Sequence, residues 1–158
     1  EAIVRARQSC PRFDAALRSL VDQHGTSAEY PGFDILSLNT SELSPDPFLS
    51  ISRLIELKSS GVRARVQEMT WNEWKTAKNG LLAEKYWLYL MGNLRSDLSD
   101  SRPFLQMVHN PFARIRAVAV AEHSLKRKIQ IHTGQFVEAE IIDLRVRSTG
   151  MERKDDPT

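Results

Sequence analysis

A carboxylate and an ammonium group lie two residues apart at Glu56 and Lys58, inside the otherwise apolar segment Arg53-Leu54-Ile55-Glu56-Leu57-Lys58. Side chains alternate between the two faces of a β-strand, so a strand here places Glu56 and Lys58 together and points Ile55 and Leu57 into a core. Charged side chains in an apolar strand need partners, because burying an unpaired charge is costly. A metal ion or a phosphate group would supply such a partner.

The spacing has little specificity by itself, because Glu-x-Lys also occurs at residues 73–75 and 152–154. The first copy is explained by a capping box, in which Glu73 supports a helix that begins after Thr70. The second copy lies in a polar tail without apolar neighbours. Only the pair at residues 56–58 lies in an apolar strand.

A second acid, Asp34, follows a Pro31-Gly32 turn on a predicted neighbouring strand. Two acids on adjacent strands can hold one divalent cation, and Mg²⁺ prefers such oxygen ligands with waters completing its shell. The ion can lower the pKa of a bound water and stabilise charge on a phosphate, while Lys58 orients or activates the nucleophile. A simpler interpretation is also open, in which Glu56 and Lys58 form an ordinary ion pair and Asp34 ends a turn.

Periodicity and turn signals predict the elements that position these residues. Apolar residues at helical spacing predict a helix over residues 11–24, with Pro11 in its first turn and Gly25 as its stop. Residues 86–91 are apolar on both faces, which is typical of a central strand. Residues 112–128 fit either a helix or a strand. Further strands are predicted over residues 33–38, 49–60, 62–67, 104–108 and 136–146, and helix starts at Thr70 and at Asn110-Pro111.

Composition limits the class of protein. The chain has 158 residues, 41% apolar and 27% charged, which suits one domain with its own core. No run approaches the roughly 18 apolar residues of a membrane span, so we expect no membrane partner. Cys10 is the only cysteine, which excludes an internal disulfide and favours a reducing cytoplasmic setting. The net charge of +2 is too small to indicate nucleic-acid binding alone.

The ends of the chain suggest a part of a longer protein. The first residue is Glu1 rather than Met, and residues 151–158 form a polar tail. We therefore expect residues 1–150 to form one domain excised from a larger polypeptide. The order of elements indicates an α/β fold without the regular alternation of a Rossmann domain.

Asp34, then a loop, then Glu56-Leu57-Lys58, followed by a strand and a helix, resembles the PD-(D/E)XK nuclease superfamily. An ordered set of motifs is similar, more specifically, to the domain family named after the C-terminal region of the plant protein NO VEIN. The match runs over roughly residues 30–112. Its motifs are Gly32-Phe33-Asp34-Ile35, Ile55-Glu56-Leu57-Lys58, Asn72-Glu73-Trp74, Tyr86-Trp87-Leu88-Tyr89 and Asn110-Pro111.

The resemblance implies a restriction-endonuclease-like fold, with a central mixed sheet flanked by helices. It implies that Asp34 and Glu56 bind Mg²⁺ or Mn²⁺, that Lys58 is catalytic, and that the substrate is DNA. It also implies attachment to a larger protein, such as a helicase, another ATPase or an anti-phage defence protein. The superfamily often adds an acid from the first helix, and the candidates here are Glu1 and Asp14.

Basic residues form two further groups that suit phosphate contacts. Arg63 and Arg65 share one face of a predicted strand, and Lys126, Arg127 and Lys128 form a cluster. Such groups commonly bind nucleic-acid backbones in a salt-dependent way. A solvated basic surface is the alternative for both groups.

Two other functions remain open at this stage. A nuclease-like module that has lost catalysis would bind DNA or a protein without cleaving DNA. A docking domain of a large ATPase would do neither. The oligomeric state is not indicated by the sequence.

Overall fold

The computed structural model describes residues 10–27, 29–39, 45–62, 66–95, 102–114, 128–136 and 140–143. Within these residues the helices are α1 (Pro11–His24), α2 (Trp71–Lys78) and the short α3 (Pro111–Arg114). The strands are β1 (Ile35–Leu38), β2 (Ile51–Ser59), β3 (Val66–Thr70), β4 (Tyr86–Gly92), β5 (Phe104–His109), β6 (Lys128–His132) and β7 (Glu140–Asp143).

A mixed sheet of five strands, in the order β1-β2-β4-β5-β7, forms the centre of the fold. The β2 and β4 strands are parallel, with Glu56 opposite Leu88, and the other neighbours are antiparallel. A separate antiparallel pair joins β3 to β6. The predicted mixed α/β fold with a central sheet flanked by helices is therefore confirmed, and β4 is a central strand as its apolar sequence predicts.

The first helix follows its sequence signals closely. Pro11 opens α1, and Gly25 ends it in the left-handed conformation with a φ of +65°. Its buried face includes Phe13, Leu17 and Leu20, which pack into the core. Among the described residues, no helix is long and apolar enough to cross a membrane.

The predicted capping box of α2 is present. The Thr70 hydroxyl accepts a hydrogen bond from the Glu73 backbone N–H at 3.3 Å, and Glu73 Oε2 accepts one from the Thr70 backbone N–H at 3.0 Å. Both bonds satisfy N–H groups that a helix start leaves without intrahelical partners. The side chain of Glu73 is thereby fixed to the backbone at the beginning of α2.

The largest apolar cluster lies on the face of β2 that carries Glu56 and Lys58, whereas the sequence predicts a core on the face of Ile55 and Leu57. Leu54 is fully buried in a cluster with residues of α1 and α2, and Glu56 and Lys58 share its strand face. Ile55 and Leu57 point to the other face of the sheet. The predicted burial is confirmed for Ile55, with 7% of its surface exposed, whereas Leu57 is only half-buried. Helices α1 and α2 cover the other face, which carries the charged pair.

Several predicted strand boundaries differ from the structure. Asp34 lies just before β1 rather than within it. The strand predicted over residues 62–67 begins at Val66 instead and continues to Thr70, while residues 63–65 lie outside the described residues. The predicted final strand is observed at Glu140–Asp143. Strand β6 begins at Lys128, the last of the residues 112–128 for which the sequence allowed either a helix or a strand. Strand β3 extends to Thr70 because it pairs with β6, a partner that is distant in sequence.

The turn that leads into β1 packs tightly against α2. Gly32 has a φ of +82°, and a Cβ atom there would collide with the Thr76 hydroxyl and lie 2.9 Å from the Asn72 carbonyl oxygen. The Tyr86 hydroxyl donates a hydrogen bond of 2.8 Å to the Gly32 carbonyl, and the Thr76 hydroxyl donates one of 3.2 Å to the Pro31 carbonyl. These contacts fix the position at which β1 begins.

We expect Gly32→Ala to lower the free energy of unfolding by roughly 3 kcal/mol, because the left-handed conformation and the collision both act against a methyl group. Gly25→Ala is the matched control, since Gly25 has a similar φ of +65° but no atom within 4 Å of an added Cβ. Urea unfolding of both variants checks the prediction. Equal destabilisation by the two substitutions would contradict the close packing at Gly32.

Candidate functional site

An open cleft of about 670 Å³ lies beside the start of β1. Its lining comes from the turn at residues 29–35, from β2, and from the start of α2. The acidic side chains in this lining are Glu29, Asp34, Glu56 and Glu73. The structure thus brings Asp34 and Glu56 together at one cleft.

Asp34 extends the pairing between β1 and β2 by one residue. Its backbone N–H donates to the Ile55 carbonyl at 2.9 Å, and its Oδ2 accepts from the Leu57 backbone N–H at 2.8 Å. Since Ile35 is opposite Ile55, Asp34 lies opposite Glu56 across the two strands. One carboxylate oxygen of Asp34 is therefore anchored to the strand that carries Glu56 and Lys58.

Lys58 is shared between two carboxylates. Its Nζ lies 2.6 Å from Glu56 Oε1 and 2.7 Å from Glu73 Oε2. The exposed fractions of these side chains are 18% for Lys58, 4% for Glu56 and 15% for Glu73. The ion pair between Glu56 and Lys58 is thus present but is not solvent-facing, and it includes a third residue.

Glu73 is the site residue that sequence reasoning missed. The capping box accounts for Glu73 as a helix-start residue, and the sequence pattern predicts no further role for it. The structure shows that one oxygen, Oε2, serves both the Thr70 backbone and the Lys58 ammonium. The similarity of Asn72-Glu73-Trp74 to a family motif was a signal that a capping role alone did not account for.

A family profile described as Protein NO VEIN, C-terminal, matches residues 12–105. The match covers more than half of the chain and includes the cleft residues from Glu29 to Glu73. The chain belongs to the NO VEIN C-terminal family. No curated protein and no solved structure matches it.

Burial has an unusual effect on Glu56 in this NO VEIN C-terminal domain. It raises the pKa of Glu56 from 4.5 to about 7; the hydrogen bond from Lys58 opposes the shift, and the negative charges of Glu73 and Asp34 add to it. Near neutral pH this carboxylate is therefore readily protonated. A second cation close to Glu56 would favour its ionised form.

The pKa values of Lys58 and Glu73 both shift in the direction that favours the charged form. Burial alone would lower the pKa of Lys58, but its hydrogen bonds to Glu56 and Glu73 raise that pKa above 10.5. Burial alone would raise the pKa of Glu73, but the hydrogen bonds from Lys58 and Thr70 lower it below 4.5. Lys58 and Glu73 thus form a stable ion pair, and Glu56 is the titratable member.

Asp34 and Glu56 are the acidic side chains of the cleft that could hold a divalent cation together with several waters. No group of three or more His, Cys, Asp or Glu side chains within the described part of the chain is arranged to hold a metal ion. Asp34 and Glu56 nevertheless supply the one or two carboxylates through which Mg²⁺ usually binds. Asp34, Glu56 and Glu73 together with Lys58 carry a net charge of −2 when all are ionised, which a divalent cation balances.

The remaining predicted site residues are not among the residues that line this cleft. Asp14 forms an ion pair with Arg18 along α1, and the other candidate acid, Glu1, lies outside the described residues. Of the basic residues, Lys128 begins β6, but its side chain is not among those described. The others that lie outside the described residues are Arg63, Arg65, Lys126 and Arg127.

We expect the metal-free domain to lose stability as the pH rises from about 4.5 to about 7. Glu56 has a higher pKa in the folded than in the unfolded chain, so the folded state binds more protons in this window and stability falls by roughly 3 kcal/mol. The lowered pKa of Glu73 acts below this window, and the raised pKa of Lys58 acts above it.

Urea unfolding in EDTA at several pH values measures this loss. Glu56→Gln removes the titrating group, so its stability should be nearly constant across the window. Glu84→Gln is the control, because Glu84 is an acid with 75% side-chain exposure outside the cleft lining. The assignment is wrong if Glu56→Gln retains the pH dependence of the unsubstituted chain.

Proposed function

We propose that this domain is a metal-dependent endonuclease-like domain of the PD-(D/E)XK superfamily, which hydrolyses DNA phosphodiester bonds. The observation that carries the proposal is the arrangement of two acids on paired strands, Asp34 and Glu56, with the half-buried ammonium of Lys58 on the same strand face as Glu56. Acids that hold a cation beside a positioned lysine suit the hydrolysis of a phosphate ester.

Each of the three residues has a distinct proposed role. Asp34 and Glu56 would hold Mg²⁺ or Mn²⁺, and the anchored Oδ2 of Asp34 fixes the orientation of its carboxylate. A bound cation supplies a water of lowered pKa and charge stabilisation for the phosphate. Lys58 would donate hydrogen bonds to the attacking water or to a phosphate oxygen and so position them for reaction.

The mixed sheet supports a restriction-endonuclease-like fold as part of the same proposal. Its parallel pair β2 and β4 lies beside antiparallel neighbours, and the acidic cleft lies at β1 and β2. We also propose that the domain acts within a larger polypeptide, such as a helicase, another ATPase or an anti-phage defence protein. Arg63, Arg65 and the cluster at residues 126–128 remain proposed contacts to the DNA backbone.

A second candidate function is a nuclease-like module that binds DNA or a protein partner without cleavage. The observation that favours it is the close pairing of Glu56 with Lys58 at 2.6 Å. In that state the carboxylate and the ammonium neutralise each other, and both are diverted from a cation or a phosphate. Binding of divalent cations would have to displace this pair for catalysis to occur.

We expect the 158-residue chain to cleave plasmid and oligonucleotide DNA in Mg²⁺ or Mn²⁺ but not in EDTA. Asp34→Asn and Lys58→Met should each reduce the cleavage rate by about 100-fold or more, since each removes a group that acts directly on the reaction. Gel assays of cleavage measure this effect, and circular dichroism verifies that each variant is folded.

Lys75→Met is the matched control, because Lys75 has the same spacing from a glutamate but is exposed on α2. It should cleave DNA at the rate of the unsubstituted chain. Salt-sensitive DNA binding without any metal-dependent cleavage would instead support the non-cleaving module. Cleavage unchanged by Asp34→Asn or Lys58→Met would contradict the catalytic assignment.

A further inference from the structure

We infer that Glu73 is a positioning residue that retains Lys58 in the site when Glu56 turns to a cation, and that it thereby sets the affinity of the site for that cation. The inference rests on the proposed metal-dependent function. It concerns a residue outside the predicted set of Asp34, Glu56 and Lys58.

The geometry gives Lys58 two almost equivalent partners. Its Nζ is 2.6 Å from Glu56 Oε1 and 2.7 Å from Glu73 Oε2. The two carboxylates come from different elements, β2 and the first turn of α2. Loss of either contact therefore leaves the ammonium with one carboxylate still at hydrogen-bond distance.

The two carboxylates are not equally free to move. Glu73 Oε2 also accepts a hydrogen bond of 3.0 Å from the Thr70 backbone N–H, which fixes it at the helix start whether or not Lys58 is present. The described contacts of the Glu56 carboxylate contain no comparable bond to the backbone. Glu56 can therefore turn toward a cation more readily than Glu73.

A cation at Asp34 and Glu56 competes with Lys58 for the Glu56 carboxylate. If Lys58 had no other partner, this competition would leave an ammonium group poorly solvated, since only 18% of its side chain is exposed. Glu73 removes that penalty, because it keeps the ammonium paired after Glu56 has turned away. The same contact keeps Nζ close to the cleft, where the proposed reaction needs it.

A plain electrostatic role of Glu73 makes a different prediction. Any carboxylate near the cleft attracts a cation, and it does so whether or not Lys58 is present. A role through Lys58, in contrast, must disappear when Lys58 is replaced. A double-mutant cycle between positions 58 and 73 separates these two possibilities.

The test measures Mn²⁺ binding to the full chain by calorimetry at pH 8, with no DNA present. Glu73→Gln should weaken Mn²⁺ binding about five- to tenfold in the unsubstituted background, and Lys58→Met should strengthen it by removing the competitor. In the Lys58→Met background, Glu73→Gln should change the affinity by no more than about twofold. An equal loss of affinity in both backgrounds would overturn the inference.

Two further variants keep the result interpretable. Lys75→Met removes an exposed ammonium group from the same helix as Glu73, so it should leave the Mn²⁺ affinity unchanged. Asp34→Asn should abolish Mn²⁺ binding, which supports the metal site independently of Glu73. Failure of the unsubstituted chain to bind Mn²⁺ would overturn the metal site and this inference together.

Discussion

The half-buried ammonium of Lys58, shared by Glu56 and Glu73, is the interaction on which the site depends. It connects the central sheet to the start of α2, because Glu56 and Lys58 belong to β2 and Glu73 belongs to the helix. Charges that are withdrawn from water are tolerated only when they are paired and hydrogen-bonded, so these three side chains depend on one another. In the capping box, Glu73 also accepts a hydrogen bond from the Thr70 backbone. The same glutamate therefore stabilises both the charged network and the start of α2.

The same network contains more carboxylates than ammonium groups, so its negative charge is not fully neutralised. Asp34 brings a further carboxylate to the strand position opposite Glu56, and the raised pKa of Glu56 reflects burial among acids that Lys58 alone does not offset. Without a cation, the free energy of unfolding near neutral pH would be higher if a neutral residue replaced Glu56. Groups held in unfavourable environments are characteristic of functional sites, where a ligand rather than the fold supplies the missing interaction.

Membership of the NO VEIN C-terminal family shows what this chain is related to, but it does not identify a chemical activity. A mixed α/β sheet hosts many unrelated activities, so the fold carries little functional information by itself. The proposed hydrolysis of phosphodiester bonds depends instead on Asp34, Glu56 and Lys58. The tight turn at Gly32 supports this site, because it fixes the start of β1 against α2 and so determines where Asp34 meets β2.

The sequence by itself determined the features that depend on local signals. Helix α1 follows from apolar periodicity between Pro11 and Gly25, the capping box follows from Thr70 and Glu73, and the alternation of a strand places Glu56 and Lys58 on one face. Only the tertiary structure decided which face of β2 the helices cover, where β3 ends, and that Glu73 reaches Lys58. Each of these depends on contacts between residues far apart in sequence, such as β3 with β6 and β2 with α2, and no local pattern encodes which distant element covers a given face.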